Sequence, residues 1–154
     1  MGNSKHIFIQ IDTDSIILLE KEIRKLQKKG NQKEINSLIR EHTLIYDQGS
    51  MSLGNPIKNF AIDVEQNQEV HFAILPVQMY SHHKLYFNGF TCIKKIGIHF
   101  PKLETKHCLS FRITVDSHAK SGDSTEFCLH AVLEYEGHEP IFLAIDPVIR
   151  IIQN

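Results

Sequence analysis

Apolar and polar residues alternate along most of this chain, and one stretch near the start breaks into helical spacing instead. From His6 to Asp12, Ile7, Ile9 and Ile11 share one face while Phe8 and Gln10 take the other, the period of a strand. After Asp12-Thr13-Asp14-Ser15 the period changes. Ile16, Leu19, Ile23 and Leu26 recur three or four apart with Glu and Lys between them, which predicts an amphipathic helix. Asp14 or Ser15 is the expected N-cap, because a short side-chain oxygen can accept from the free amides of a first turn. Gly30 supplies a left-handed C-terminal cap. Asn31-Gln32-Lys33-Glu34 reads as a second start, with Glu34 reaching back as in a capping box, and Ile35, Leu38 and Ile39 form its stripe. A helical hairpin is therefore expected over residues 15–41.

From Thr43 onward the pattern predicts strands: Thr43 to Asp47, Asn59 to Val64, Glu69 to Met79, Lys84 to Phe87, Thr91 to Phe100, Cys108 to Val115, Glu126 to Tyr135, Pro140 to Ile145 and Val148 to Ile152. Turn signals separate them at Gln48-Gly49-Ser50, Gly54-Asn55-Pro56, Glu65 to Gln68, Asn88-Gly89, Ser121-Gly122-Asp123 and Glu136-Gly137. The closing segment, Glu126 to Ile152, reads as a hairpin followed by one more strand. The expected fold is mainly β, a jelly-roll-like β-sandwich of about nine or ten antiparallel strands with an N-terminal helical hairpin. No internal repeat or low-complexity linker divides it, so residues 1–154 are expected to form a single domain.

Composition narrows the function classes. With 42% apolar and 23% charged residues and no run long enough to span a bilayer, the chain reads as a soluble globular protein without a membrane partner. Its first residues lack a secretory signal, and His6 spoils an acylation motif at Gly2, so a cytoplasmic location is expected. Lys and Arg total 17 against 18 Asp and Glu, which leaves no basic field for a nucleic-acid backbone. A net charge of −1 favours self-association near neutrality. Ten histidines would make that association change between about pH 5 and 7. Three cysteines without CxxC spacing, Cys92, Cys108 and Cys128, read as reduced, packed thiols.

Three stretches in order, Ile11-Asp12-Thr13-Asp14-Ser15-Ile16, the region His42 to Phe72, and the hairpin ending Ile145-Asp146-Pro147-Val148-Ile149, resemble the PixA/AidA family of bacterial inclusion-body proteins. Ile145 stands where that pattern has an aromatic residue, and the chain has no Trp. The resemblance implies a β-sandwich that self-associates as a homo-oligomer, accumulates in bacterial inclusions or under stress, and has no catalytic residues. A lectin-like, carbohydrate-binding role is the sharpest molecular function it would add, by analogy of fold.

The chemistry in the chain is sparse. Asp12 and Asp14, two apart at a strand end, could face one calcium ion, with Asp146 joining Asp12 if the first and last strands pair. The alternative reading makes the first two helix-capping carboxylates and Asp146 a turn starter before Pro147. The loop Asp116 to Ser124 is polar but lacks EF-hand spacing, and is expected to be solvated. His82 and His83 should point to opposite faces, whereas Cys128 and His130 share one and could supply two zinc ligands. His107 and Cys108 diverge. No HExxH, phosphate loop, nucleophile elbow or dinucleotide fingerprint is present. The leading function is a non-enzymatic storage or stress protein, with a calcium-dependent carbohydrate-binding protein as alternative and a hydrolase with a site assembled from distant residues as the second.

Overall fold

Among the described residues ten strands fold into two sheets because nearly every one carries an apolar row on one side only. The structure, a computed structural model, describes residues 4–48, 56–78, 83–92, 97–99 and 108–152, the Cys92 side chain excepted. The first sheet holds β1 (Ser4–Ile11), β2 (Thr43–Asp47), β4 (Glu69–Pro76), β6 (Ile98–His99) and β7 (Ser110–Val115) in the order β2-β1-β4-β7-β6. The second runs β3-β10-β8-β5, with β3 (Ala61–Val64), β5 (Lys84–Cys92), β8 (Ser124–Glu134) and β10 (Val148–Ile151). The strand β9 (Ile141–Ile145) also pairs with β8. It meets β8 at residues 129–133 and β10 meets it at 124–126. Asp146-Pro147 thus interrupts one edge of an 11-residue strand.

The inward rows are those the alternation predicts. Ile7, Ile9 and Ile11 of β1 and Phe127, Leu129, Ala131 and Leu133 of β8 belong to one buried cluster. Phe72 stacks on Phe111 at 5.0 Å, and Phe87, Phe90 and Phe127 complete an aromatic centre. Fully burying one such side chain contributes about 1.5–3 kcal/mol, so these rows set the pairing.

Two pairings are parallel, β1 with β4 and β3 with β10, where antiparallel strands throughout were expected. Parallel neighbours need a long connection, and the helices and β2 between β1 and β4 provide it. Asn88-Gly89 is no turn. It lies inside β5, where the register slips between Phe87 and Gly89, because β8 offers an unbroken partner and the extra residue is absorbed as a bulge. The strand predicted from Asn59 begins at Ala61, since Asn59 and Phe60 take left-handed backbone at φ 56° and 52°.

The helical region has three pieces, α1 (Thr13–Leu18), α2 (Glu20–Lys28) and α3 (Gln32–Glu41). The first two are parted at Leu19, whose N–H is shared between the Ser15 and Ile16 carbonyls. Gly30, at φ 68°, ends α2, and the Asn31 side chain caps α3 by accepting from the Glu34 N–H. Buried Ile16, Ile23, Leu26, Ile35 and Ile39 join the core, and α3 packs on both β9 and β2, one from each sheet. Expectations that rest on residues 49–50, 54–55, 79, 82, 93–96, 100 and 107 fall outside the described residues.

Candidate functional site

The three aspartates singled out as calcium ligands end up in different settings. Asp12, not Asp14 or Ser15, caps α1: its Oδ1 accepts from the Ser15 N–H at 3.2 Å and from the Gln78 amide at 2.7 Å, and its Oδ2 accepts from the Ser15 hydroxyl at 2.7 Å. The Ser15 hydroxyl first, then the Gln78 amide, hold its carboxyl below the usual range against the opposing effect of burial. Asp14 is exposed and faces His83 Nδ1 at 3.6 Å. Asp146 sits in the β9–β10 turn, where its carboxylate acts on the Cys128 thiol. The condition for joining Asp146 to Asp12 is not met, because β1 and β10 belong to different sheets. Among the described residues no group of three or more His, Cys, Asp or Glu side chains is placed to hold a metal ion.

Cys128 and His130 do share the outer face of β8, but each is engaged elsewhere. His130 Nε2 lies 2.9 Å from Thr91 Oγ1. Burial, and then the Asp146 carboxylate, push the Cys128 thiol up to about 12, so it stays protonated and a poor nucleophile. It packs beneath the strand break rather than in the core. The loop after β7 is also less free than expected: Ala119 is buried, its carbonyl accepts from the Gln66 amide, and Asp116 ties the turn by accepting from the His118 N–H at 3.0 Å.

A gathering of ionisable groups around α2 was not expected from the sequence. Arg24 of α2 donates to the Glu139 carbonyl at 2.6 Å and reaches the Pro140 carbonyl at 3.4 Å, latching the helix to the β8–β9 turn. Beside it, Glu20 meets His138 Nδ1 at 3.3 Å and Arg24 at 3.6 Å, and the Tyr135 ring stacks on His138 at 4.5 Å. Among the described residues the buried Tyr135 hydroxyl has no hydrogen-bond partner of good geometry, although the Glu20 carboxylate acts on it. Burial first, with Glu20 second, push this phenol up to about 12, while Tyr135, His138 and Arg24 hold Glu20 below its ordinary range. A neutral phenol and an ionised carboxylate make a latch, without a base matched to a nucleophile. A cleft of about 380 Å³ opens beside it, lined by Lys84, Glu134, Glu136 and Pro140 as well as the two rings. The Glu20–Arg24 spacing and the Tyr-Glu-Gly-His turn were visible in the sequence, but nothing there placed them together.

The outer face of the second sheet carries an apolar row. Tyr86, Val132 and Phe142 stand opposite one another on β5, β8 and β9. Val132 is 3% exposed between its neighbours, whereas Phe142 is 60% exposed at the edge.

No protein-family model and no curated protein sequence matches the chain. Among solved structures it is similar to the crystal structure of the inclusion body protein PixA from Burkholderia cenocepacia. The match covers 98% of this chain and 96% of that one with a TM-score of 0.57 and 10% identity. The β-sandwich fold is thereby shared along nearly the whole length of both chains. No helix among the described residues is long and apolar enough to cross a membrane.

Proposed function

We propose that this chain is a non-enzymatic, self-associating protein of the inclusion-body type, whose role is to accumulate rather than to turn over a substrate. The observation that carries the reading is the fold it shares end to end with an inclusion body protein. Its surface is in keeping with that role. A net charge of −1 sets little repulsion between copies, and Phe142, at the end of a row with Val132 and Tyr86, presents a large apolar side chain on a sheet face.

The test is sedimentation velocity over a wide concentration range, for the wild type and for Phe142→Lys. Burying the exposed part of one phenyl ring is worth about 1–2 kcal/mol, so the lysine variant should need roughly tenfold more protein to reach the same mass. Wild-type protein that stays monomeric at every concentration would count against the proposal. An unchanged profile for Phe142→Lys would remove this face from it.

A further inference from the structure

The spacing Lys33, Asn36, Ser37, Arg40 puts four hydrogen-bonding side chains on one face of α3, at i, i+3, i+4 and i+7. In the fold that face looks across a cleft of about 210 Å³ toward Phe60 and the Asp146 turn. Phe60 holds a left-handed backbone at φ 52°, a strained conformation for an aromatic residue, with its ring buried at the cleft floor. The Arg40 guanidinium lies 4.4 Å above that ring. Stacking fixes the plane of the fork while leaving its N–H edge free to bond. Among the described residues the Arg and Lys side chains in ion pairs are those of Arg24, Arg112 and Arg150, and neither Lys33 nor Arg40 is among them.

We propose that this cleft binds a small hydroxy or amino carboxylic acid, its carboxylate held by Arg40 and Lys33 and its hydroxyl or ammonium directed to Asp146. Three features select that class. The volume is below the range of about 300–1,000 Å³ usual for drug-sized ligands. Two cations against one carboxylate leave a single positive excess, which suits a monoanion and disfavours a phosphate dianion set beside Asp146. The guanidinium fork matches a carboxylate with two parallel hydrogen bonds, and the Asn36 amide and Ser37 hydroxyl stand between the two cations as further partners. Asn36 already accepts at Oδ1 from Gln32 at 2.7 Å, which turns its amide group toward donating. The proposal is independent of self-association, since it involves neither Phe142 nor the outer sheet face.

The experiment is isothermal titration of the purified chain with glucuronate, with glycine, with glucose and with inorganic phosphate, at low and high salt. Binding of glucuronate or glycine, but not of glucose or phosphate, is expected, and it should weaken with salt. Arg40→Met keeps the stem over Phe60 but loses the fork, and should weaken binding at least about tenfold. Lys33→Met, on an exposed helix face, should weaken it less and guards against a folding defect in the first variant. Asp146→Asn separates the sources: a loss confined to glycine assigns an ammonium ligand, and a loss for glucuronate assigns a hydroxy acid. Heat from phosphate or glucose alone, no heat from either acid, or equal binding by wild type and Arg40→Met overturns the assignment.

Discussion

Removing the Asp12 side chain separates a helix cap from a metal ligand. Asp12→Ala deletes the N-cap of α1, worth about 1 kcal/mol with a range of about 0.5–2. It also strands the Gln78 amide, whose 2.7 Å bond to a half-buried carboxylate adds about 1 kcal/mol more. The expected loss is about 1.5–3 kcal/mol, which for a domain of this length lowers Tm by roughly 3–12 °C. Asp12→Asn keeps a capping oxygen and should lose less than half as much. The pH dependence has a fixed sign. The folded carboxyl lies below its ordinary 3.8, so its contribution is complete above that value and is lost as pH falls through the depressed one. Asp12→Asn should flatten the stability curve in that acid window. The assay is urea unfolding of the three proteins with and without millimolar calcium. A ligand bound only to the folded state at 100 times its Kd would add about 2.7 kcal/mol. Calcium that stabilises the wild type by such an amount, with Asp12→Asn losing it as fully as Asp12→Ala, would refute the capping argument.

Two further predictions rest on single contacts. Gly97 has φ 79°, and a Cβ there would lie 3.0 Å from the Ala119 Cβ and 3.2 Å from its Cα, so Gly97→Ala should cost about 2–3 kcal/mol. Gly30→Ala, at φ 68° with open space around it, should cost only about 1 kcal/mol; equal costs in urea unfolding would show that the Ala119 contact does not matter. Cys128 should alkylate roughly a hundred- to a thousandfold more slowly than an ordinary thiol near pH 8, read site by site by mass spectrometry. Asp146→Asn should speed it only severalfold, because burial is the larger cause; full release by that substitution would invert this order.

Local pattern and tertiary contact decided different parts of this protein. Strand rows such as Ile7-Ile9-Ile11 and Phe127-Leu129-Ala131-Leu133 were legible because a side chain's face follows from its position in a period of two. The helix stripes from Ile16 to Ile39 and the Gly30 cap were legible for the same local reason. Where the reading slipped, a neighbour distant in the chain had outbid the local signal. Asn88-Gly89 is a good turn, yet β8 pairs straight past it. Asp14 and Ser15 are good caps, yet Gln78 and the His42 carbonyl fix the helix start at Asp12. The parallel pairing of β1 with β4 carries no mark in either strand, because direction depends on which connection closes the core. The same holds for the sites. Lys33, Asn36, Ser37 and Arg40 share a helix face by spacing alone, but Phe60 beneath Arg40 and Asp146 across the cleft come from residues 20 and 106 positions further along. Glu20, Arg24, Tyr135 and His138 meet only because α2 is latched to a turn more than a hundred residues away. Periodicity encodes which way a side chain faces; only the closed fold decides what it faces.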